Sequence, residues 1–233
     1  MNTFKFIYLI FFCLTPVLIG AQQINTGLNL GTAMAFNKAI PQGPQSQYIS
    51  TPPAPSLSFE GFLCFQPRNS LHYFMAYTGA YGLTTSFKYK KDGQTTLKSF
   101  GNANWHIGMR YYRRMSKINR KYTWYWIGGI HTELVEDRYK NYPSGFIKAY
   151  LENYELRTGP APGIHTGIAL AKPVKGSAFT LELTANLGFR YSRFSHFSSF
   201  QEDGQTYKVL VKSKSDFINL KLAYSLRVWK RKQ

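Results

Sequence analysis

Three sets of side chains in this 233-residue sequence have the types and spacing to do chemistry. The first lies in 194–203, FSHFSSFQED. His196 and Ser198 stand two apart, so an extended chain puts them on one face, and Glu202 follows. A hydroxyl, an imidazole to take its proton and a carboxylate to orient the ring are the parts of a nucleophilic hydrolase. The second set is charged. Glu60, Glu182, Arg110, Lys221 and Arg227 each fall among small and polar neighbours at alternate positions. Such charges, once away from water, must pair, and their placement predicts a network linking Glu60 and Glu182 to Arg110, Lys221 and Arg227. The third set is the basic run 113–121, RRMSKINRK, where Arg113, Arg114, Lys117, Arg120 and Lys121 offer contacts to anionic headgroups or to a protein partner. The five histidines (72, 106, 131, 165 and 196) are scattered without metal-ligand spacing. No phosphate loop or dinucleotide fingerprint is present, so neither metal nor cofactor is expected.

The elements that must position these residues are strands. Aromatic residues make up 17% of the chain, with 17 Tyr and 18 Phe, which suits pleated sheet and excludes a disordered chain. Residues 1–21 have the order of a secretory leader: Lys5, an apolar run from Phe6, Pro16, then small residues at 20 and 21. Cleavage there would remove Cys13 and leave Cys64 alone, so no internal disulfide is expected. Beyond the leader, eight segments alternate between apolar and small or polar residues, near 24–36, 56–66, 71–89, 99–112, 122–134, 162–171, 178–192 and 216–228. The clearest is 178–192, where Phe179, Leu181, Leu183, Ala185, Leu187, Phe189 and Tyr191 oppose Thr180, Glu182, Thr184, Asn186, Gly188, Arg190 and Ser192. The fifth is ambiguous, because Tyr122, Trp124, Tyr125 and Trp126 crowd both parities. Period two marks a strand with two different faces. Most runs match the roughly 9–11 residues that a tilted strand needs to cross a bilayer.

The connections alternate too. Long gaps follow the first, fifth and seventh segments and short ones the second and sixth, the pattern of a meander crossing a membrane with loops on one side and turns on the other. The gap after the third segment, around Asp92-Gly93, is short and reads as a tight turn between strands that run beyond the membrane. The longest insertion, 136–160, could fold over one mouth or meet a partner. Period two alone does not say which face is inward; a soluble barrel with an apolar interior has the same pattern. Strand length and flanking aromatics favour the apolar parity facing lipid. On that assignment His72, His106, His165 and a series of glycines, Gly82 among them, line the lumen, while Tyr73, Met75, Tyr77 and Tyr81 face out. Phe87, Tyr89, Phe189 and Tyr191 belong to one aromatic girdle, and Tyr111, Tyr122, Trp124, Trp126 and Tyr224 to the other.

The formal charge of +18 is not gathered into one stripe, which argues against nucleic acid. The cations fall at both ends of the apolar belt, as suits outer-membrane lipids including lipopolysaccharide on one side and phospholipid on the other.

A chain of eight two-faced strands with alternating loop lengths and interfacial aromatics resembles the small bacterial outer-membrane β-barrels of the OmpA/OmpX type. The resemblance covers nearly all of 22–229 and implies an all-β fold, an eight-stranded antiparallel up-and-down transmembrane barrel after a cleaved signal peptide. It also implies a bacterial outer-membrane location and a monomer. Residues 230–233 form a basic tail. Size and basicity are also similar to the PorT-like barrels of protein-secretion systems, which would imply an envelope protein partner. His196, Ser198 and Glu202 resemble the His-x-Ser and downstream Glu of outer-membrane lipid A deacylases, but Glu202 departs from that spacing, and the chain is expected not to be an enzyme. The reading is a plugged barrel with a structural or surface-recognition role through its loops.

Overall fold

The structure, a computed structural model, describes residues 21–36, 38–42, 48–67, 71–91, 93–116, 121–134, 161–189, 193–202, 205–213 and 216–230. The leader up to residue 20, the insertion 136–160 and residues 231–233 of the basic tail lie outside these. The described residues form twelve strands: β1 Ala21–Ala35, β2 Lys38–Gln42, β3 Ile49–Ser50, β4 Ala54–Pro67, β5 His72–Lys91, β6 Gln94–Arg114, β7 Thr123–Leu134, β8 Ala161–Val174, β9 Ser177–Gly188, β10 Arg193–Glu202, β11 Gln205–Ser213 and β12 Phe217–Lys230. Eight of them pair in antiparallel sequence order, β1-β4-β5-β6-β7-β8-β9-β12, and β12 closes back on β1 from Gln23↔Lys230 to Ala35↔Phe217. The fold is a closed, eight-stranded up-and-down barrel. Closure matters physically: in hydrocarbon no water serves an open sheet edge, and only a closed barrel satisfies every backbone group between strands.

One end carries the short connections, with the start of β1 and the end of β12. There β8 and β9 meet through Lys175-Gly176, with Gly176 in the left-handed conformation (φ 74°) that a two-residue turn requires of it. The other end carries the long loops. It includes structure the sequence reading treated as plain loop: β10 and β11 form a hairpin, and β2 adds to β11 as a third strand. On the same end β5 and β6 run 20 and 21 residues and stay paired out to Lys91↔Gln94.

The faces divide cleanly. Leu28, Leu30, Leu57, Leu63, Ile130, Leu183, Leu220 and Leu222 are exposed around the outside, whereas the interior holds Asn29, Ser58, Glu60, His106, Arg110, Glu182, Asn219 and Lys221. A barrel that wears its large aliphatic side chains outside and its charges inside is built for lipid, and the soluble alternative with an apolar interior is excluded.

Strand β5 reverses the parity expected of it. Met75, Tyr77 and Tyr81 are buried in the lumen and Gly79 with them, while Thr78 and Gly82 are exposed. His72 is not lumenal either; it stacks on Tyr111 at 5.5 Å. The cause is register. Opposed residues of an antiparallel pair share a face, and Glu60 on β4 and His106 on β6 both oppose Gly79. The polar faces of β4 and β6 therefore dictate the inward face of β5, whatever its own hydrophobicity. Space dictates it as well. Eight strands enclose an interior that side chains just fill, and the Tyr77 ring occupies room left by Gly108, where a Cβ would lie 2.6 Å from the ring. The β7 ambiguity resolves likewise: Trp124 and Trp126 face out, while Ile127, His131 and Glu133 are buried. Tyr89 leaves the proposed girdle, being buried and edge-on to Tyr48. Trp229, whose parity should turn it inward, is 43% exposed, because a bulge at Val228 lets both residues face lipid.

Two outcomes follow. Leu222→Arg, on the lipid face near the middle of β12, should lower folding stability in phospholipid bilayers by about 2–4 kcal/mol, read from urea titrations. A nitroxide on Thr78→Cys should be relaxed by lipid-dissolved oxygen, and one on Tyr77→Cys should not; the opposite pattern would restore the parity read from sequence.

Candidate functional site

The lumen is organised around Glu60. Its Oε1 accepts from Arg110 Nη2 at 2.7 Å and Lys221 Nζ at 2.6 Å and lies 3.0 Å from His106 Nε2, while Oε2 accepts from Asn29 Nδ2 at 2.9 Å. These partners come from β6, β12 and β1, so one carboxylate on β4 ties strands across the barrel. Arg110 reaches a second carboxylate, with Nη1 3.6 Å from Glu182 Oε2, and Tyr112 donates to Glu182 Oε1 at 2.8 Å. The Arg110 guanidinium also lies over the Tyr77 ring at 3.9 Å, an added cation–π attraction. All four charges are no more than 2% exposed.

Register explains the meeting. Glu182 opposes Lys221 across β9 and β12, and Asn29 opposes Glu60 across β1 and β4. Of the five residues assigned to this network by sequence, the structure brings together Glu60, Glu182, Arg110 and Lys221. Arg227 is apart from them: it is exposed at the turn end, six residues along β12 from Lys221.

The sequence reading missed a second layer toward the loop end. The Tyr81 hydroxyl donates to Glu133 at 2.7 Å, and the Tyr81 ring stacks on His106 at 4.2 Å. His131 and His165 approach with their Nδ1 atoms 3.5 Å apart. Their rings occupy space left by glycines; a Cβ at Gly163 would stand 2.6 Å from His131. The usable signal was the pairing of Gly129 and Gly163 opposite histidines on neighbouring strands, but it required the β7–β8 register. Among the described residues no group of three or more His, Cys, Asp or Glu is arranged to hold a metal ion.

Below the Glu60 layer the lumen opens at the turn end into a cavity of about 300 Å³. Glu182, Met75, Tyr73 and Tyr125 line it, and Arg114 and Arg227 stand among its outer residues. Of the basic run, Arg113 and Lys121 are exposed and Arg114 is half-buried, while Lys117 and Arg120 lie outside the described residues. His196, Ser198 and Glu202 all fall on β10, but a register shift occurs at His196, between Ser195 and Phe197. Glu202 stands at the far end of the same strand, about 20 Å of extended chain from His196.

No family model matches the chain, and no curated protein matches it in sequence. Among solved structures, the outer membrane protein OprG from Pseudomonas aeruginosa aligns over 89% of this chain and 96% of its own, with a TM-score of 0.50 and 8% identity. The fold is that of an outer-membrane β-barrel. The lipid-facing belt and that fold together place the chain in a bacterial outer membrane. A bacterial polysaccharide outer membrane secretin also aligns, at 5% identity and a TM-score of 0.23, too slight to add to this.

Removing one partner from the barrel's charge layer should be costly. Glu60→Gln leaves Arg110 and Lys221 buried without their main counter-charge, so unfolding midpoints in detergent or lipid should report a loss of about 3–5 kcal/mol. Adding Lys221→Met should return part of it; a single variant as stable as the parent would mean that the charges are not desolvated.

Proposed function

We propose that this outer-membrane barrel is a closed structural and recognition scaffold rather than a pore. The observation that carries the reading is the cross-lumen layer at Glu60, which sets two carboxylates, a guanidinium and an ammonium in direct contact across an interior already narrow for water. An ion passing through would have to displace these partners in a low-dielectric setting, where each unpaired charge costs several kcal/mol. Activity is then left to the two ends. At the loop end, the β10–β11 hairpin with β2 and the projecting β5–β6 hairpin give a rigid base for surface recognition. At the turn end, the exposed Arg113 and Lys121 suit anionic phospholipid headgroups or an acidic envelope partner, while Arg114 turns into the cavity. The scaffold works as a monomer, with lipopolysaccharide as its outer-leaflet neighbour.

Planar bilayers containing the refolded protein should stay electrically silent. A steady ohmic conductance in the parent protein, unchanged by Glu60→Gln, would overturn the closed-lumen reading.

A further inference from the structure

The turn-end cavity has two unmet hydrogen-bonding groups of opposite sign at its two ends. At its floor, Glu182 is wholly buried; its Oε1 is taken by Tyr112, but Oε2 has no hydrogen-bond donor among the described residues, the Arg110 guanidinium standing off at 3.6 Å. Toward the mouth, the buried Nε–H of Arg114 has no acceptor among the described residues, and the exposed Arg227 adds a second guanidinium. Between them one side of the wall is aromatic and soft, where Tyr73 and Tyr125 meet edge to face at 5.1 Å with Met75 beside them, and the rest carries small polar groups such as Thr180 and Ser225.

From this arrangement we infer that the cavity is a binding site for a short linear zwitterion with an apolar middle, of the size of a tripeptide. Its ammonium end is drawn toward the Glu182 carboxylate at the cavity floor, its carboxylate meets Arg114 and Arg227, and its side chains lie against Tyr73, Tyr125 and Met75. The dimensions agree. Arg110, which marks the floor beside Glu182, is four residues from Arg114 along β6, about 13 Å of extended strand, and three extended residues span about 10 Å. A cavity of about 300 Å³ is at the lower end of the range for small-molecule sites. Polarity orients the ligand, because a reversed zwitterion would set its carboxylate on Glu182 and its ammonium on two guanidiniums. The Glu60 layer closes the inner end, so the ligand enters and leaves by the turn end.

The test uses the full barrel in lipid nanodiscs and the peptide Ala-Leu-Ala, with empty nanodiscs as the baseline. Binding should be saturable at one site per barrel, and the peptide should slow modification of Cys64, which lines the same cavity, by methyl methanethiosulfonate. N-acetylation, C-terminal amidation and Arg114→Gln should each weaken binding at least tenfold. Arg114 is at the half-buried rim, so that variant should keep the heat-modifiable folded band, which Glu182→Gln need not. No saturable binding above empty nanodiscs would overturn the site. Acetylated and amidated peptides that bind as tightly as the unmodified one would overturn it too, by showing that the cavity selects only apolar bulk.

Discussion

Every feature of this molecule depends on the bilayer's refusal to hydrogen-bond. A strand in hydrocarbon has no water to fall back on, so the sheet must close, and here β12 meets β1 along thirteen paired positions. Closure with eight strands fixes the diameter, and the diameter fixes what the lumen can hold. Large rings need space that small neighbours leave, as Tyr77 finds at Gly108. Charges fit only as partners, since any left alone would sit in a dry interior.

This order of causes separates what was legible in the sequence from what was not. The eight crossing strands, their lipid face on β1, β4, β6, β8, β9 and β12, and the short turns were legible, because a bilayer imposes length and period two on each strand separately. The inward face of β5 was not. Its large apolar residues point to the lumen, because the polar residues of β4 and β6 claim the same side of the sheet through Glu60↔Gly79↔His106. A single strand does not contain that information; it resides in the register between strands. Trp229 shows the same limit, since a one-residue bulge restored a side that strict alternation denied it.

The charge cluster was legible in composition but not in geometry. Four charges on one parity had to find each other, yet only the pairing of β9 with β12 and of β1 with β4 says which atoms meet. Arg227 differs from Lys221 by position alone: six residues carry it from the dry middle to the wet rim. Glu133 and His131 escaped notice because β7 has aromatic residues on both faces, which hid its inward side until β8 was laid beside it, and His165 was left without its partner.

The first and last loops are joined by the pairing of β2 with β11, from Lys208↔Gln42 to Lys212↔Lys38. These loops flank the seam where the first barrel strand meets the last, the one junction with no covalent turn between its strands. The outer sheet therefore acts as a clasp over the barrel's only non-covalent joint. To part β1 from β12, the chain must also undo a strand pairing that lies beyond the ends of both barrel strands, so the seam is fastened from outside as well.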